Sequence, residues 1–216
     1  MPPESYSAAG AAQWAQLCDA LLAGLVHMLN NRVTALSVCA ELAAMGDDQM
    51  ISDGLLTTEV RRLQAASAML GLMPPRPHQP EAIELRPVLD DALSLHAHHP
   101  RMRLVECEVV VETGMQPVRA PRWALLRRMI ALVDAAKEAA AAAATRAAFH
   151  LSSDVREVRL RIVTPSDGGA YGAEMAARCS GVLARDGESL VLTLPSLLAL
   201  RQREREALER DAPERR

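Results

Sequence analysis

A heptad pattern of apolar residues near the N-terminus constrains this fold more than any other sequence feature. The apolar positions alternate steps of four and three, on one helix face, at Leu22, Val26, Leu29, Val33, Leu36, Ala40 and Ala43. Gly46, Asp47 and Asp48 then supply a helix stop and an N-cap. The same spacing continues on a second helix at Leu56, Val60, Leu63, Ser67 and Leu70. The pattern predicts an antiparallel helical hairpin.

The length of this apolar seam also predicts association. A lone hairpin cannot bury two such stripes, and helices of this kind usually solve the problem by forming a four-helix bundle. We therefore expect residues 12–73 to form a homodimeric bundle, preceded by a disordered N-terminus over residues 1–11.

A proline-rich stretch separates the hairpin from the rest of the chain. Prolines 74, 75, 77 and 80 prevent a helix from continuing, so residues 74–82 are predicted to be a short, stiff linker. Beyond it, the patterns predict a helix over Arg86–Ala97, a strand over Leu104–Val111 and a long helix over Pro121–Ala148.

Alternating patterns near the end of the chain predict further strands. Apolar residues occupy every second position at Val158, Leu160 and Ile162, and again at Leu190, Leu192 and Leu194. Residues 83–197 are therefore expected to form an α/β sandwich with its helices on one side of the sheet, and residues 198–216 a charged, solvated helical tail. The fold class predicted for the whole chain is α+β.

Composition and charge argue against several classes of partner. The net charge of -3 gives no clustered attraction for nucleic acid or anionic lipid, so neither is an expected partner. No run approaches the roughly 18 apolar residues of a membrane span, and no signal-like start is present, which together predict a cytoplasmic location. The four cysteines form no C-x-x-C pair that would indicate a zinc ribbon.

One histidine of the first helix is a candidate for chemistry. His27 lies one position off the apolar seam and is expected to face water, with Asn31 and Thr34 one and two turns further along. A neutral imidazole near its unperturbed pKa of about 6.5 has a lone pair and can act as a nucleophile. The alternative is an ordinary surface histidine without a chemical role.

The segment from His27 to Leu36 resembles the histidine box, H-E-L-N-N-P-L-T-A, of bacterial two-component sensor histidine kinases. The identical positions are His27, Leu29, Asn30, Asn31, Thr34 and Ala35. Two later segments are also similar to that family. Met115–Ala120 followed by Leu125–Leu126 resembles the approach to its ATP-binding helix, and Tyr171–Pro195 resembles its closing helix and hairpin.

The resemblance implies that His27 is phosphorylated on a ring nitrogen and exchanges the phosphoryl group with an aspartate of a response-regulator receiver domain. It implies that Asn31 orients water for dephosphorylation of that partner. A sensor histidine kinase is a second partner that it suggests. The family's acidic residue after the histidine is replaced by Met28. Magnesium would be supplied by the receiver domain, so no cofactor is expected on this chain.

The nucleotide site departs further from the family pattern. The family's N-L-x-x-N-A reads Ala131 to Ala136 here, with no amide at either asparagine position, and Asp134 is one residue out of register. The glycines of D-x-G-x-G survive only as Asp167-Gly168-Gly169, and Tyr171 leaves no room for a lid. We therefore expect a degenerate ATPase-like domain that does not bind ATP, and no autokinase activity.

A histidine-rich stretch offers a competing site. His96, His98 and His99, together with His78, could bind a transition metal as a sensor. The pattern favours a simpler interpretation, because histidines near a helix C-terminus interact favourably with the helix dipole and no cysteine completes a ligand set. No metal site is therefore predicted.

Two functional hypotheses follow from these patterns. The leading one is a homodimeric histidine phosphotransferase or pseudokinase, which exchanges phosphoryl groups between His27 and receiver domains. The rival is a non-catalytic dimer that regulates a receiver domain or kinase by docking, in which His27 is only a surface residue. Transfer of label from a phosphorylated receiver domain to His27 distinguishes them.

Overall fold

The computed structural model describes residues 7–45, 53–72, 79–164 and 179–211. Two long helices come first, α1 (Ala8–Ala44) and α2 (Asp53–Leu70). The helices that follow are α3 (Leu85–His96), α4 (Arg122–Ala142) and α5 (Leu197–Asp211). The strands are β1 (Glu81–Ile83), β2 (Cys107–Val111), β3 (Val118–Ala120), β4 (Ala147–Ser153), β5 (Glu157–Val163), β6 (Val182–Asp186) and β7 (Ser189–Pro195).

The larger sheet has five strands in the order β2-β4-β5-β7-β6. β2 pairs with β4 in parallel and all other neighbours are antiparallel, while β1 and β3 form a separate antiparallel pair. The predicted alternation is confirmed, because the six apolar residues are at most 2% exposed, namely Val158, Leu160, Ile162, Leu190, Leu192 and Leu194. They share one core with α3 and α4, and Arg159 and Arg161 face outward, so the α/β sandwich and the α+β class are confirmed.

Two element boundaries in the α/β sandwich of residues 83–197, called the second module below, differ from the prediction. The Ala-rich helix ends at Ala142, not Ala148, because Ala144 takes a left-handed backbone with φ of 51° and the amide of Thr145 donates to the Ala140 carbonyl. Ala147 instead begins β4 and pairs with Cys107 of β2. The strand predicted from Leu104 begins only at Cys107, and Leu104 is 84% exposed.

The ends of the hairpin also differ. α1 begins at Ala8, where the Ser7 hydroxyl accepts a hydrogen bond from the amide of Gly10 at 3.1 Å. The disorder predicted for residues 1–11 is therefore wrong for residues 8–11. The predicted linker 74–82 is wrong at its end, where Glu81 starts β1. The turn at Gly46–Asp48, most of the proline stretch and residues 165–178 lie outside the described residues.

The two hairpin helices contact each other along a face one position away from the predicted seam. Arg32 of α1 pairs with Glu59 of α2, and Cys39 and Ala66 are buried at 6% and 0% exposure. Each of these residues directly precedes a seam residue in the sequence. The seam itself remains open in a single chain, since Leu22, Val26 and Val33 are 38%, 51% and 52% exposed. Burial of this stripe by a second copy stays a prediction.

The N-terminal half of α1 also packs against the second module, which the seam did not predict. Leu17, Leu21 and Leu25 are at most 7% exposed and belong to the same core as α3, α4 and the sheet. The guanidinium of Arg127 lies 4.7 Å from the ring centre of Trp14 and 5.6 Å from that of Trp123, a cation–π contact between α1 and α4. α1 is therefore shared by both modules.

The C-terminal helix α5 matches the predicted solvated tail. Its charged side chains are exposed, and the only ion pair it makes with the sheet module among the described residues joins Arg119 and Glu204 at 2.9 Å. None of the described helices is long and apolar enough to cross a membrane.

Candidate functional site

His27 lies on the exposed side of α1, as predicted, and is hydrogen-bonded to the residue one turn further along. The distance between Asn31 Nδ2 and His27 Nε2 is 3.2 Å. Because an amide nitrogen can only donate, Nε2 accepts this bond and the proton of the neutral ring lies on Nδ1. Asn31 in this position favours the tautomer with the lone pair on Nε2, and the amide must release that lone pair before Nε2 can act as a nucleophile.

Thr34 and Met28, which also lie near His27 in the sequence, make other contacts. The Thr34 hydroxyl donates to the carbonyl of Asn30 at 2.9 Å and is thereby engaged with its own helix. Met28, at the position of the family's acidic residue, is half-buried and packs against the core. No carboxylate of α1 thus lies next to the imidazole in sequence or bonds to it in the described structure.

His27 borders a cleft of about 390 Å³ between α1 and the 97–103 segment, which connects α3 to β2. We call it the His27 cleft. The residues that line it are Ala23, Gly24, His27, Met28, Asn31, Arg32, Ala97, His98, Pro100 and Arg103. The second module thus forms one wall of the site, and the imidazole is not simply surrounded by water.

Close backbone packing at Gly24 forms the floor of this arrangement. A Cβ atom at position 24 would lie 1.7 Å from the carbonyl oxygen of His98 and 2.7 Å from its carbonyl carbon. Only glycine allows α1 to approach the 97–103 segment so closely. This contact lies one turn before His27 and fixes the distance between the imidazole and the opposite wall.

Arg32 is held on the near wall by an ion pair within the hairpin. Its Nη1 lies 3.0 Å from Glu59 Oε2, and Arg62 Nη1 lies 2.6 Å from Glu59 Oε1. Burial acts to raise the pKa of Glu59, but the hydrogen bonds and charges of Arg32 and Arg62 outweigh it and lower that pKa below its ordinary value. The carboxylate thus stays ionised and orients Arg32.

The His27 cleft is lined by cationic side chains, one of which, Arg32, is paired with Glu59. Its lining includes the guanidinium groups of Arg32 and Arg103 and no carboxylate. Burial lowers the pKa of His98, and the positive charge of Arg32, which lines the same cleft, lowers it further. An anion entering this cleft meets donors and positive charge from both modules.

The predicted degeneration of the nucleotide site falls partly within the described residues. Ala131 is buried on α4 and Ala135 is half-buried, so neither position offers an oxygen or nitrogen ligand. Asp134 lies with its Oδ1 at 3.5 Å from His96 Nε2. The Asp167-Gly168-Gly169 loop and the place of the missing lid lie outside the described residues.

The histidine-rich stretch is not gathered into a metal site. His96 is buried and its Nδ1 donates to the Ala92 carbonyl at 2.9 Å, while His99 Nδ1 accepts from the backbone amides of Arg101 and Met102. His98 lines the His27 cleft. Within the described ranges, no group of three or more metal-binding side chains is present, and His78 lies outside them.

Sequence reasoning found His27 and Asn31 but missed the opposite wall, which consists of His98 and Arg103. It also missed Arg32, which stands where the histidine box has a proline. One signal was available. Gly24 interrupts an otherwise good helix at a cost of about 1 kcal/mol relative to alanine, which indicates close packing one turn before the histidine.

Among known proteins, this chain is similar only to solved structures. No protein-family model and no curated protein matches the sequence. The mycobacterial sensor histidine kinase MprB is 18% identical, with a TM-score of 0.41, over 54% of this chain and 97% of that one. The Acinetobacter baumannii histidine kinase AdeS is 15% identical, with a TM-score of 0.42, over 79% and 96%.

A third similar structure is the ATP-binding domain of PrrB from Mycobacterium tuberculosis, 17% identical, with a TM-score of 0.44, over 55% of this chain and 98% of that domain. With TM-scores this low, the likenesses do not assign the chain to a family. The structure itself defines the class of protein. It is an α+β protein in which the helix α1 belongs both to a helical hairpin and to the core of a mixed-sheet module, and an exposed histidine lies where the two meet.

Proposed function

We propose that this protein is a histidine phosphotransferase of a two-component signalling system, in which His27 exchanges a phosphoryl group with the aspartate of a receiver domain. The observation that carries the proposal is the hydrogen bond between Asn31 Nδ2 and His27 Nε2. It gives an exposed imidazole a defined tautomer, with the lone pair on Nε2, beside a cleft lined by Arg32 and Arg103.

The proposed transfer is a displacement at phosphorus. The Nε2 lone pair of His27 attacks the phosphorus of an aspartyl phosphate, the nitrogen–phosphorus bond forms, and the bond to the aspartate oxygen breaks. The electron pair of the broken bond leaves with the carboxylate, and the proton on Nδ1 is then free to pass to water. Because the receiver domain holds the magnesium, the chain itself needs to supply position and positive charge.

The protein is proposed to lack kinase activity of its own. Ala131 and Ala135 replace the amides with which the sensor kinases hold magnesium against the phosphates, and a nucleotide without such a ligand is poorly positioned for transfer. Asp134, the nearest oxygen ligand on α4, faces His96 at 3.5 Å. The phosphoryl group would therefore come from another protein, either a receiver domain or a sensor kinase.

The protein is also proposed to act as a homodimer. The seam residues Leu22, Val26, Val33, Leu56 and Val60 are each at least 38% exposed in a single chain, and they follow a helical heptad spacing on both hairpin helices. Burial of this stripe by a second hairpin completes a four-helix bundle. The two copies would then present two His27 side chains.

One observation favours the rival function, regulation of a receiver domain or kinase by docking alone. Met28 replaces the acidic residue that assists proton removal in the sensor kinases, and its side chain is packed against the core. In this view His27 remains exposed without reacting. The two functions share the hairpin surface and differ only in whether phosphorus reaches the imidazole.

A transfer assay distinguishes the two functions. Receiver domains of the native cytosol, labelled with radioactive phosphate, are incubated with the protein, and the label is followed under conditions that preserve phosphohistidine. His27→Gln should abolish labelling without changing the melting temperature, because the side chain is exposed. His150→Gln is the matched control, since His150 is a partly exposed histidine of β4 that does not line the His27 cleft and has a side chain 43% accessible. Tight receiver binding without any label on His27 would support docking alone.

A further inference from the structure

The His27 cleft contains hydrogen-bond donors that do not come from α1, the helix that carries His27. Arg103 and His98 reach it from the second module, although neither belongs to the histidine box. Their side chains form no hydrogen bond or ion pair with another residue in the part of the chain that the structure describes. They are therefore available to a ligand.

A further arginine, Arg32 of α1, lines the near wall. Arg32 uses Nη1 to bind Glu59, but its Nε is buried and has no hydrogen-bond partner among the described residues. Nε is closed off from the cleft, so a ligand can reach only the exposed part of this side chain, which is 32% accessible. The planar guanidinium is well suited to phosphate oxygens, because it offers several donors in a fixed geometry.

We propose that the His27 cleft is a phosphate-binding site built from both modules, in which Arg32 and Arg103 bind the oxygens of a phosphoryl group located at His27 Nε2 and His98 completes the donor set. The ligand class is a phosphate dianion, either free or attached to the imidazole. This proposal rests on the proposed function, and it adds that the degenerate second module has a direct role in the site.

The packing explains how a surface site could be held open and fixed in size. Gly24 allows the backbone of α1 to touch the carbonyl of His98, and Leu21 and Leu25 on the same helix are fully buried in the shared core. A change in the distance between the walls would require this core to separate. The donors from the two modules are therefore preorganised, which reduces the cost of ordering them around an anion.

A titration with inorganic phosphate tests the site without any receiver domain. The ring resonances of His27 are followed by NMR as phosphate is added to the 216-residue chain at constant ionic strength. We expect a saturable shift in the wild type. Arg103→Ala should weaken phosphate binding about ten-fold, which corresponds to about 1.4 kcal/mol. Because Arg103 is exposed, the substitution should leave the fold intact.

The matched control is Arg101→Ala, which removes an exposed arginine of the same segment that does not line the His27 cleft. Its phosphate affinity should equal that of the wild type. A linear, unsaturable shift in the wild type, or equal weakening by both substitutions, would refute a specific site. General screening of the protein's charge would produce such results.

The phosphate titration and the transfer assay can fail independently of each other. If phosphate binds in an Arg103-dependent way while no receiver domain ever labels His27, the phosphate site stands and the proposed function fails. If His27 is labelled while Arg103→Ala binds phosphate as the wild type does, the proposed function stands and the two-module site fails. Slower loss of phosphate from labelled wild-type protein than from labelled Arg103→Ala would further support the site.

Discussion

Substitution of Gly24 by alanine tests the close contact between the hairpin and the second module. The new Cβ would lie 1.7 Å from the His98 carbonyl oxygen, which is 1.3 Å short of the 3.0 Å that real Cβ contacts respect. The obstacle is backbone and cannot rotate away as a side chain would. The two walls of the His27 cleft must therefore move apart.

The expected magnitude combines two opposing effects. Alanine stabilises a helix interior by about 1 kcal/mol relative to glycine. Overpacking costs about 1–3 kcal/mol, and a backbone obstacle places this site at the upper end of that range. The net expectation is a destabilisation of about 2 kcal/mol, which corresponds to a fall in melting temperature of about 4–8 °C for a protein of this size.

The assay combines thermal unfolding with alkylation of Cys18. Burial raises the pKa of the Cys18 thiol to about 11, although the charge of Arg127 acts to lower it, so the thiol reacts slowly while α1 is packed. Gly24→Ala should speed the alkylation of Cys18, measured on its peptide by mass spectrometry. Ser37→Ala, at an exposed position of α1, is the control for helix propensity and should change neither quantity by much. Unchanged stability and unchanged Cys18 reactivity in Gly24→Ala would refute the contact.

Three further predictions concern the hairpin and the nucleotide site. Glu59 has a lowered pKa in the folded state, so its contribution to stability is present above its ordinary pKa of 4.5 and is lost as the pH falls through the folded value. Glu59→Gln should therefore flatten the dependence of melting temperature on pH in that acidic window, and parallel profiles for the two proteins would contradict the ion pair. Val26→Asp, at a side chain 51% exposed in one chain, should convert a dimer into folded monomers by sedimentation, and a monomeric wild type at micromolar concentration would exclude the bundle. Millimolar ATP with magnesium should leave the melting temperature unchanged, whereas a site occupied at a hundred times its dissociation constant would add about 2.7 kcal/mol.

The sheet module was largely predictable from the sequence because burial of one sheet face imposes a period of two. Val158, Leu160 and Ile162 follow that period and are all buried against the helices. The end of α4 was not predictable in the same way. An unbroken run of alanines contains no stop signal, and the left-handed backbone at Ala144 arises where the chain must turn to place β4 beside β2.

The hairpin was predicted as an element but its contact face was not. α1 has adjacent apolar stripes, and the heptad spacing of Leu22 and Val26 was the more regular one in the sequence. The structure buries the stripe next to it, where Leu21 and Leu25 contact the second module. Heptad spacing identifies a helix face that can be buried, and tertiary packing decides which partner covers it.

Only the part of the candidate site that lies on α1 could be predicted from the sequence. His27 and Asn31 lie one helical turn apart, so local geometry alone brings them together, and the hydrogen bond between them follows. His98 and Arg103 are about seventy residues away in the sequence, and they reach the cleft only because α1 packs onto the second module. Gly24 signals a close packing partner, but no local pattern in a single sequence identifies the 97–103 segment as that partner.

The central claim is that Nε2 of His27 receives the phosphoryl group. Phosphorus and nitrogen NMR of the protein after incubation with a phosphorylated receiver domain identifies the ring nitrogen that is modified. We predict a single phosphohistidine at position 27, attached through Nε2, because Asn31 Nδ2 donates to that atom and leaves the proton on Nδ1. A phosphoryl group on Nδ1, on another histidine, or on no histidine while the receiver domain is bound would contradict the account.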